Sequence, residues 1–148
     1  MSSYTLRSAT QSDSRAIREL IWQVGINPVG LDWRRFVVAI DEQGRLAGCG
    51  QVKPHFDGSR ELASIAVQPR LQGQGIGSTV VRWLLEEHLP PLYLTCVDSR
   101  VSFYRRFGFE TLELGEMPRY YRLLVSGHRF FRRLFRWPER LAVMVKRI

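Results

Sequence analysis

The sequence is poor in cysteine and in lysine. Its 148 residues include two cysteines, Cys49 and Cys96, and both lie in apolar, strand-like runs. Neither has another Cys or a His nearby at a spacing that would suit a metal ligand. We therefore expect two buried free thiols rather than a disulfide, no bound metal, and a reducing, cytoplasmic environment.

Long apolar runs are also missing. No stretch reaches the ~18 residues that a membrane-spanning helix needs. The N-terminal sequence MSSYTLRSATQSD has no apolar segment of the kind that a signal peptide contains. The sequence therefore predicts a single domain over residues 1–148 with no membrane span.

Acidic residues are fewer than basic ones, 14 against 22, and the formal net charge is +8. The basic side chains are almost all arginine, since Lys53 and Lys146 are the only lysines. A surface of this charge attracts anions generally, so anionic ligands or partners are expected.

The segment Glu61–Leu89 carries the strongest pattern in the chain. Apolar and β-branched residues over 61–67 predict a strand, Pro69 ends it, and from Ser78 onward apolar positions recur at helical spacing. Between them, residues 72–77 read QGQGIG. Alternate glycines before a helix leave backbone N–H groups that converge on one anion, most simply a phosphate or pyrophosphate. The alternative is a loop that only turns the chain.

Known phosphate motifs narrow this interpretation. No Lys follows the glycines, as a nucleotide P-loop requires, and the spacing GxGxG differs from the dinucleotide motif GxGxxG. The pattern Q-x-x-G-x-G after a strand resembles the acetyl-CoA-binding signature of the GNAT superfamily of N-acyltransferases. That resemblance implies acetyl-CoA as cosubstrate, with the loop amides on its pyrophosphate and the preceding strand on its pantetheine arm. The implied cofactor-binding residues are Ile65, Ala66, Val67, Gln72, Gly73, Gln74, Gly75, Ile76, Gly77, Ser78 and Ser99.

The order of predicted elements agrees with the GNAT fold across nearly the whole chain. We predict strands at 4–6, 36–40, 46–53, 61–67, 92–97, 109–114 and 141–146, and helices at 13–24, 78–89 and 100–106. The implied class is α+β (α/β/α), with a mixed central sheet of about six to seven strands. An antiparallel N-terminal meander and one parallel, splayed pair are expected within that sheet.

Residues 115–140 form a basic, aromatic insertion before the last strand, where the family usually has a short hairpin. We predict one or two short helices, broken near Ser126-Gly127 and stopped by Pro138. Three interpretations stay open. The insertion is a lid over the acceptor pocket, a patch for nucleic acid, ribosomes or an anionic membrane, or a structural or dimer-forming helix pair.

Acetyl transfer to an amine needs a base, because a free alkylamine is protonated at neutral pH. The segment ELASIAV resembles the catalytic strand of histone-type acetyltransferases, which implies that Glu61 is the base. The alternative is that Glu61 is a solvated surface residue. His55 is the rival base, although a turn histidine beside Pro54 is expected to be exposed.

The departing thiolate needs a proton. The segment FYRRFGF, residues 103–109, matches the family pattern F-Y-x-x-x-G-F, which implies that Tyr104 is the acid. Its alternative role is that of a core aromatic. Many relatives carry an Asn upstream of this Tyr. Here that stretch is Val-Asp-Ser-Arg, so Ser99 is the substitute.

Taken together, these residues predict an acetyl-CoA-dependent N-acetyltransferase that acts on a primary amine by direct attack in a ternary complex. The acceptor can be a small molecule or a protein, and the protein a monomer or homodimer; nucleic acid is not an expected partner. The competing hypothesis is a non-catalytic module on the same fold that binds CoA, nucleic acid or ribosomes.

Overall fold

The structure is a computed structural model that describes residues 3–135 and 139–148. The chain divides into two compact units. The first unit contains the residues up to Lys53 together with Leu62–Leu89, and the second contains Pro54–Glu61 and Pro90–Ile148.

The described residues form seven strands and four α-helices, with short 3₁₀ turns between several of them. In chain order they are β1 Thr5–Ser8, α1 Ser14–Val24, β2 Phe36–Ile40, β3 Leu46–Pro54, β4 Arg60–Val67, α2 Ile76–Glu87, β5 Leu92–Val97, α3 Val101–Arg105, β6 Glu110–Thr111, α4 Arg119–Phe135 and β7 Leu141–Lys146. None of the helices in the described ranges is long and apolar enough to cross a membrane.

The first unit is built on an antiparallel meander. Strand β1 pairs antiparallel with β2, and β2 pairs antiparallel with β3. Helix α1 buries Ile17, Leu20 and Ile21, which recur at helical spacing on one face. These side chains join a core with strand residues of the sheet, and Gly25 ends the helix with a φ of +74° that favours glycine. Burial of this apolar face is what holds α1 in place.

Helix α2 packs very closely on the sheet in the same unit. A Cβ added at Gly50 would lie 2.5 Å from Ile65 Cδ1 and 2.8 Å from Val80 Cγ1. A Cβ at Gly48 would lie 2.9 Å from Ile76 Cγ2. The structural role of these glycines is to leave room for α2, which starts directly after the glycine-rich loop.

The second unit holds β5, β6 and β7 together with the first residues of β4. Strand β7 pairs antiparallel with both β5 and β6, and β4 pairs parallel with β5 where Glu61 lies opposite Tyr93. The core of this unit joins Tyr121 and Val125 of α4 to side chains of β7. A mixed seven-stranded sheet with one parallel pair confirms the predicted α+β class.

Three local predictions differ from the structure. Helix α2 begins at Ile76 rather than Ser78, and the strand expected over 109–114 is reduced to Glu110–Thr111. The predicted break at Ser126-Gly127 is wrong, because α4 runs unbroken from Arg119 to Phe135. A mid-helix glycine costs about 1 kcal/mol, which the burial of the apolar face of α4 readily offsets. The predicted stop at Pro138 lies outside the described residues.

Candidate functional site

The glycine-rich loop leads straight into the N-terminus of α2. Gly73 has φ +82° and Gly75 has φ +86°, a left-handed conformation that costs other residues about 1–2 kcal/mol. Gly75 is the N-cap, and its carbonyl accepts from the Thr79 N–H at 3.1 Å. The two glycines therefore let the backbone turn sharply and point its amides outward.

Most amides of this loop have no partner. The N–H of Leu71 bonds the carbonyl of Gln68 at 2.8 Å, and the N–H of Gln72 bonds that of Pro69 at 3.4 Å. In the described part of the chain, no hydrogen bond is donated by the five consecutive N–H groups that follow, those of Gly73, Gln74, Gly75, Ile76 and Gly77. Unpaired amides at the positive end of a helix dipole form a site for an oxyanion.

The side chains around the loop are held back from these amides. Gln72 Nε2 donates to the Val67 carbonyl at 3.3 Å, and Gln74 Oε1 accepts from the Tyr4 hydroxyl at 3.2 Å. Ser78, at the third helical position, is buried. The surface that faces an incoming anion is therefore mainly backbone.

Strand β4, which leads to the loop, contains a residue that the sequence did not single out. Ser64 has φ +58° and is the one non-glycine residue with positive φ in the described ranges. Next to it, the Cys49 thiol lies 3.7 Å from the Ser64 carbonyl oxygen. Burial raises the pKa of the Cys49 thiol to about 12, although a hydrogen bond from the Ala66 amide acts in the opposite direction. Backbone strain of this kind clusters at functional sites, but nothing in the local sequence marks it.

Glu61 lies in the second unit and is only 5% exposed. Its Oε1 is 2.6 Å from Nε2 of His55, and its Oε2 accepts from the Thr95 hydroxyl at 3.2 Å. The His55 side chain is 9% exposed. The expectation that His55 is exposed is therefore wrong, and so is the alternative that Glu61 is a solvated surface residue. The two rival base candidates therefore form one hydrogen-bonded pair, which the sequence did not anticipate.

Helix α4 supplies the aromatic surroundings of this pair. The Tyr120 ring stacks on the His55 imidazole with centroids 3.5 Å apart, and Tyr121 meets it edge-on at 5.8 Å. The Tyr121 hydroxyl is buried without a hydrogen-bond partner among the described residues. Burial and then the Glu61 carboxylate raise the pKa of Tyr121, while the nearby Ser59 hydroxyl acts to lower it. This phenol stays protonated over the physiological range.

Asp57 connects the β3–β4 turn to α4. Its Oδ2 accepts from the Tyr120 backbone N–H at 2.9 Å, and its Oδ1 accepts from the Ser59 hydroxyl at 2.6 Å. Burial raises the pKa of Asp57, but these hydrogen bonds outweigh it and lower the pKa overall. A carboxylate at the first turn of α4 is also favoured by the helix dipole.

Tyr104 lies in α3 of the second unit, between the rings of Phe103 and Phe109. Burial raises its pKa to about 12; the neighbouring Cys96 adds to this, and Arg100 acts against it. No hydrogen bond or ring contact joins Tyr104 to Glu61 within the described ranges. Tyr104 is thus a partly buried, protonated phenol with no direct bond to the His55–Glu61 pair among the described residues.

Residues 32–111 match the family model of the acetyltransferase (GNAT) domain, which is more than half of the chain. The chain belongs to the GNAT acetyltransferase family. No curated protein sequence is significantly similar to it. Its similarity to the solved structures below is between 17% and 22% in sequence identity, so it bears on the fold alone.

Three of these structures cover nearly all of this chain. N-acetylglutamate synthase from Neisseria gonorrhoeae, solved with coenzyme A and L-arginine, is 18% identical with a TM-score of 0.72, and the match covers 100% of this chain but 34% of that one. This GNAT domain therefore spans about a third of the synthase. Rv2747 from Mycobacterium tuberculosis, solved with CoA, is 22% identical over 97% of this chain and 99% of its own, with a TM-score of 0.72. Escherichia coli ElaA is 17% identical over 99% of each chain, with a TM-score of 0.65.

The remaining residue that was predicted to bind CoA is Ser99. Ser99 is exposed in the turn Asp98–Arg100, where its backbone N–H lies 3.4 Å from Glu139 Oε1. Its assignment to CoA binding stays a prediction. No group of three or more His, Cys, Asp or Glu residues that could hold a metal is found in the parts of the chain that the structure describes.

Two open grooves also lie on the GNAT domain, one in each unit. One of about 1120 Å³ follows α1 and the turn Trp33–Arg35, and one of about 650 Å³ follows the C-terminal half of α4. Neither groove is lined by a predicted catalytic or CoA-binding residue. The loop and the His55–Glu61 pair are candidate sites because of their hydrogen-bond geometry, not because they line a groove.

Proposed function

We propose that this GNAT domain moves an acetyl group from acetyl-CoA to a primary amine by direct attack in a ternary complex. The observation that carries the proposal is the run of unpaired amides from Gly73 to Gly77 at the start of α2. A diphosphate supplies the acceptor oxygens that these donors lack, and the helix dipole favours its negative charge.

The strand before the loop is where we place the pantetheine arm. Backbone groups of Ile65 and Val67 are the proposed partners. The thioester carbonyl needs an N–H donor as negative charge develops on its oxygen. Because the Ala66 amide is engaged with Cys49, Ile65 is the better candidate for that donor.

The reaction forms a bond from the amine nitrogen to the acetyl carbon and breaks the carbon–sulfur bond of the thioester. The attacking amine gives up one proton, which we assign to the pair of His55 and Glu61. The CoA thiolate takes up a proton, which we assign to the Tyr104 hydroxyl. Raised to about 12, the pKa of Tyr104 keeps it protonated at neutral pH.

The direct test measures thiol release from acetyl-CoA by the purified protein, with and without a panel of amines and peptides. We expect amine-dependent release and N-acetylated product by mass spectrometry. The proposal would be overturned if no acceptor caused thiol release and a titration showed that the protein does not bind CoA. We also propose that the protein works in the cytoplasm, because both of its cysteines are free thiols. We further propose that residues 1–148 form one domain, which is active as a monomer or homodimer.

The alternative is a non-catalytic module that binds CoA, nucleic acid or ribosomes, and its nucleic-acid form has one observation in its favour. The groove along α4 is lined by four arginines, Arg129, Arg132, Arg133 and Arg140. Phosphate contacts by such side chains make binding fall steeply with salt. Titration of RNA and DNA at several salt concentrations separates the two functions, because a slope near zero excludes the alternative.

A further inference from the structure

Lys53 is a buried basic side chain that forms no ion pair with any described residue. The residue is 7% exposed and lies at the end of β3 within the first unit. Its Nζ donates to the Val29 carbonyl at 3.3 Å, and its side chain runs alongside Gly30, whose φ of +74° brings the backbone close. No carboxylate pairs with Lys53 in the described part of the chain. An ammonium has three donors, so a single carbonyl leaves most of its bonding capacity unused.

A second side chain with an unpaired polar atom lies on the same face of β3, two residues before Lys53. Gln51 is fully buried, and its Nε2 donates to the Gly30 carbonyl at 3.1 Å and to the Ser64 hydroxyl at 2.9 Å. Its Oε1 has no partner among the described residues. Buried polar atoms are rarely left unpaired in folded proteins, so each such atom calls for an explanation.

These contacts connect Lys53 with the strand that we assign to the thioester. Through Gln51, the backbone at Gly30 is joined to Ser64, the strained residue that directly precedes Ile65. Val29, whose carbonyl Lys53 bonds, is an exposed residue of the α1–β2 connection. The ammonium therefore lies beneath a surface loop and is linked to the reactive strand within one unit.

A purely structural role does not account for this cation. Taking a charge out of water is costly unless an opposite charge compensates it, and one neutral carbonyl is poor compensation. The other lysine gives the comparison. Lys146 donates to the Phe107 carbonyl at 2.8 Å but is only half-buried, so water can satisfy its remaining donors.

We propose that Lys53 binds an anionic group of the acceptor, so that the substrate is an amine that also carries a carboxylate or a phosphate. This inference rests on the proposed acetyltransferase function and narrows its substrate class. Both oxyanions offer the acceptor atoms and the negative charge that Lys53 lacks. A charge-assisted hydrogen bond in a buried site corresponds to a preference of about tenfold or more in kcat/KM.

The first test uses the unmodified protein and matched pairs of amines. Each amino acid is compared with the amine left by its decarboxylation, such as phenylalanine with phenethylamine, and glucosamine 6-phosphate is compared with glucosamine. We expect kcat/KM to be about tenfold or more higher for the anionic member of at least one pair, and the pair shows which oxyanion is used. Equal rates for both members of every pair would overturn the inference but leave the acetyltransferase function intact. No turnover with any amine would count against the function itself.

The second test uses Lys53→Met, with Lys146→Met as the matched control. We expect Lys53→Met to lose the preference for the acceptor that carries the oxyanion. Its kcat/KM with the partner that lacks the oxyanion should fall much less. Its melting temperature should be unchanged or higher, since an unpaired buried charge is removed. Lys146→Met should keep the preference. A Lys53→Met protein that is folded and still prefers the anionic acceptor would contradict the proposal.

Discussion

Nε2 of His55 and Oε1 of Glu61 lie 2.6 Å apart, and both side chains are nearly excluded from solvent. The contact joins the two groups that we propose take the proton of the attacking amine. One group cannot be altered without changing the hydrogen bonding of the other.

We therefore expect Glu61→Gln and His55→Asn to lower kcat by similar factors, about a hundredfold each. The double variant should be little worse than either single variant, because groups that act as a unit are non-additive. Steady-state thiol release measures both effects, and Glu42→Gln, at an exposed site, is the control. Full activity in His55→Asn would show that Glu61 acts without its partner.

Tyr104→Phe removes the proposed acid and keeps the ring among its aromatic neighbours. The expected result is a loss of about tenfold or more in kcat with CoA affinity unchanged, since general acids contribute at least this much. Because the pKa of Tyr104 is raised to about 12, its deprotonation should not lower the rate of the wild type anywhere near neutral pH. Unchanged turnover in the variant would remove Tyr104 from the mechanism.

Gly75→Ala tests the loop. No atom lies within 4 Å of the added Cβ, so any effect comes from the φ of +86°. We expect the backbone to relieve a strain of about 1–2 kcal/mol by relaxing, which turns the amides away from their common target. CoA affinity in a titration should therefore fall. Gly115→Ala is the control, since its Cβ is equally unhindered and its φ is not positive; equal CoA binding in the two variants would argue against the loop as the pyrophosphate site.

Asp57→Asn tests how α4 is fixed to the β3–β4 turn. The pKa of Asp57 is lowered by its hydrogen bonds, so its contribution to stability is full above the ordinary carboxyl pKa of 3.8 and is lost as pH falls through the lowered value. At neutral pH the variant should be less stable, by about 1 kcal/mol if the carboxylate acts as a helix cap. Urea unfolding at several pH values should show this difference disappear in acid. A stability difference between Asp57→Asn and the wild type that persists below the lowered pKa of Asp57 would contradict its assignment as a cap of α4.

Gly127→Ala tests the unbroken α4. Alanine at this position meets no atom within 4 Å and should stabilise the helix by about 1 kcal/mol. The same substitution at Gly44, where φ is +76°, should instead destabilise the protein. Thermal unfolding of both variants gives the two signs. A destabilised Gly127→Ala protein would mean that α4 is interrupted at that point.

Elements with strong local signals were predictable from sequence. Strands β2, β5 and β7 have the predicted bounds because short apolar runs bounded by turn residues leave few alternatives. The end of α1 at Gly25 and the positive φ values of Gly73 and Gly75 also follow from local chemistry. The loop and its unpaired amides belong to the same class of prediction.

Features that depend on tertiary contacts were not predictable. The pairing of His55 with Glu61 needs the β3–β4 turn to fold back, and nothing in the spacing of the two residues shows it. The unpaired Gln51 Oε1 and the strained φ of Ser64 likewise have no local signature. Helix α4 was underestimated for the same reason, since packing of its buried face overrides the weak propensity of Gly127.

The β3–β4 turn has a bearing on how this protein could be engineered. It carries the imidazole that Tyr120 covers and the carboxylate that binds the first turn of α4. A graft that replaces α4 alone with a short hairpin would uncover His55 and remove the backbone N–H that Asp57 bonds. A chimera that exchanges this region should therefore replace the turn and the helix together.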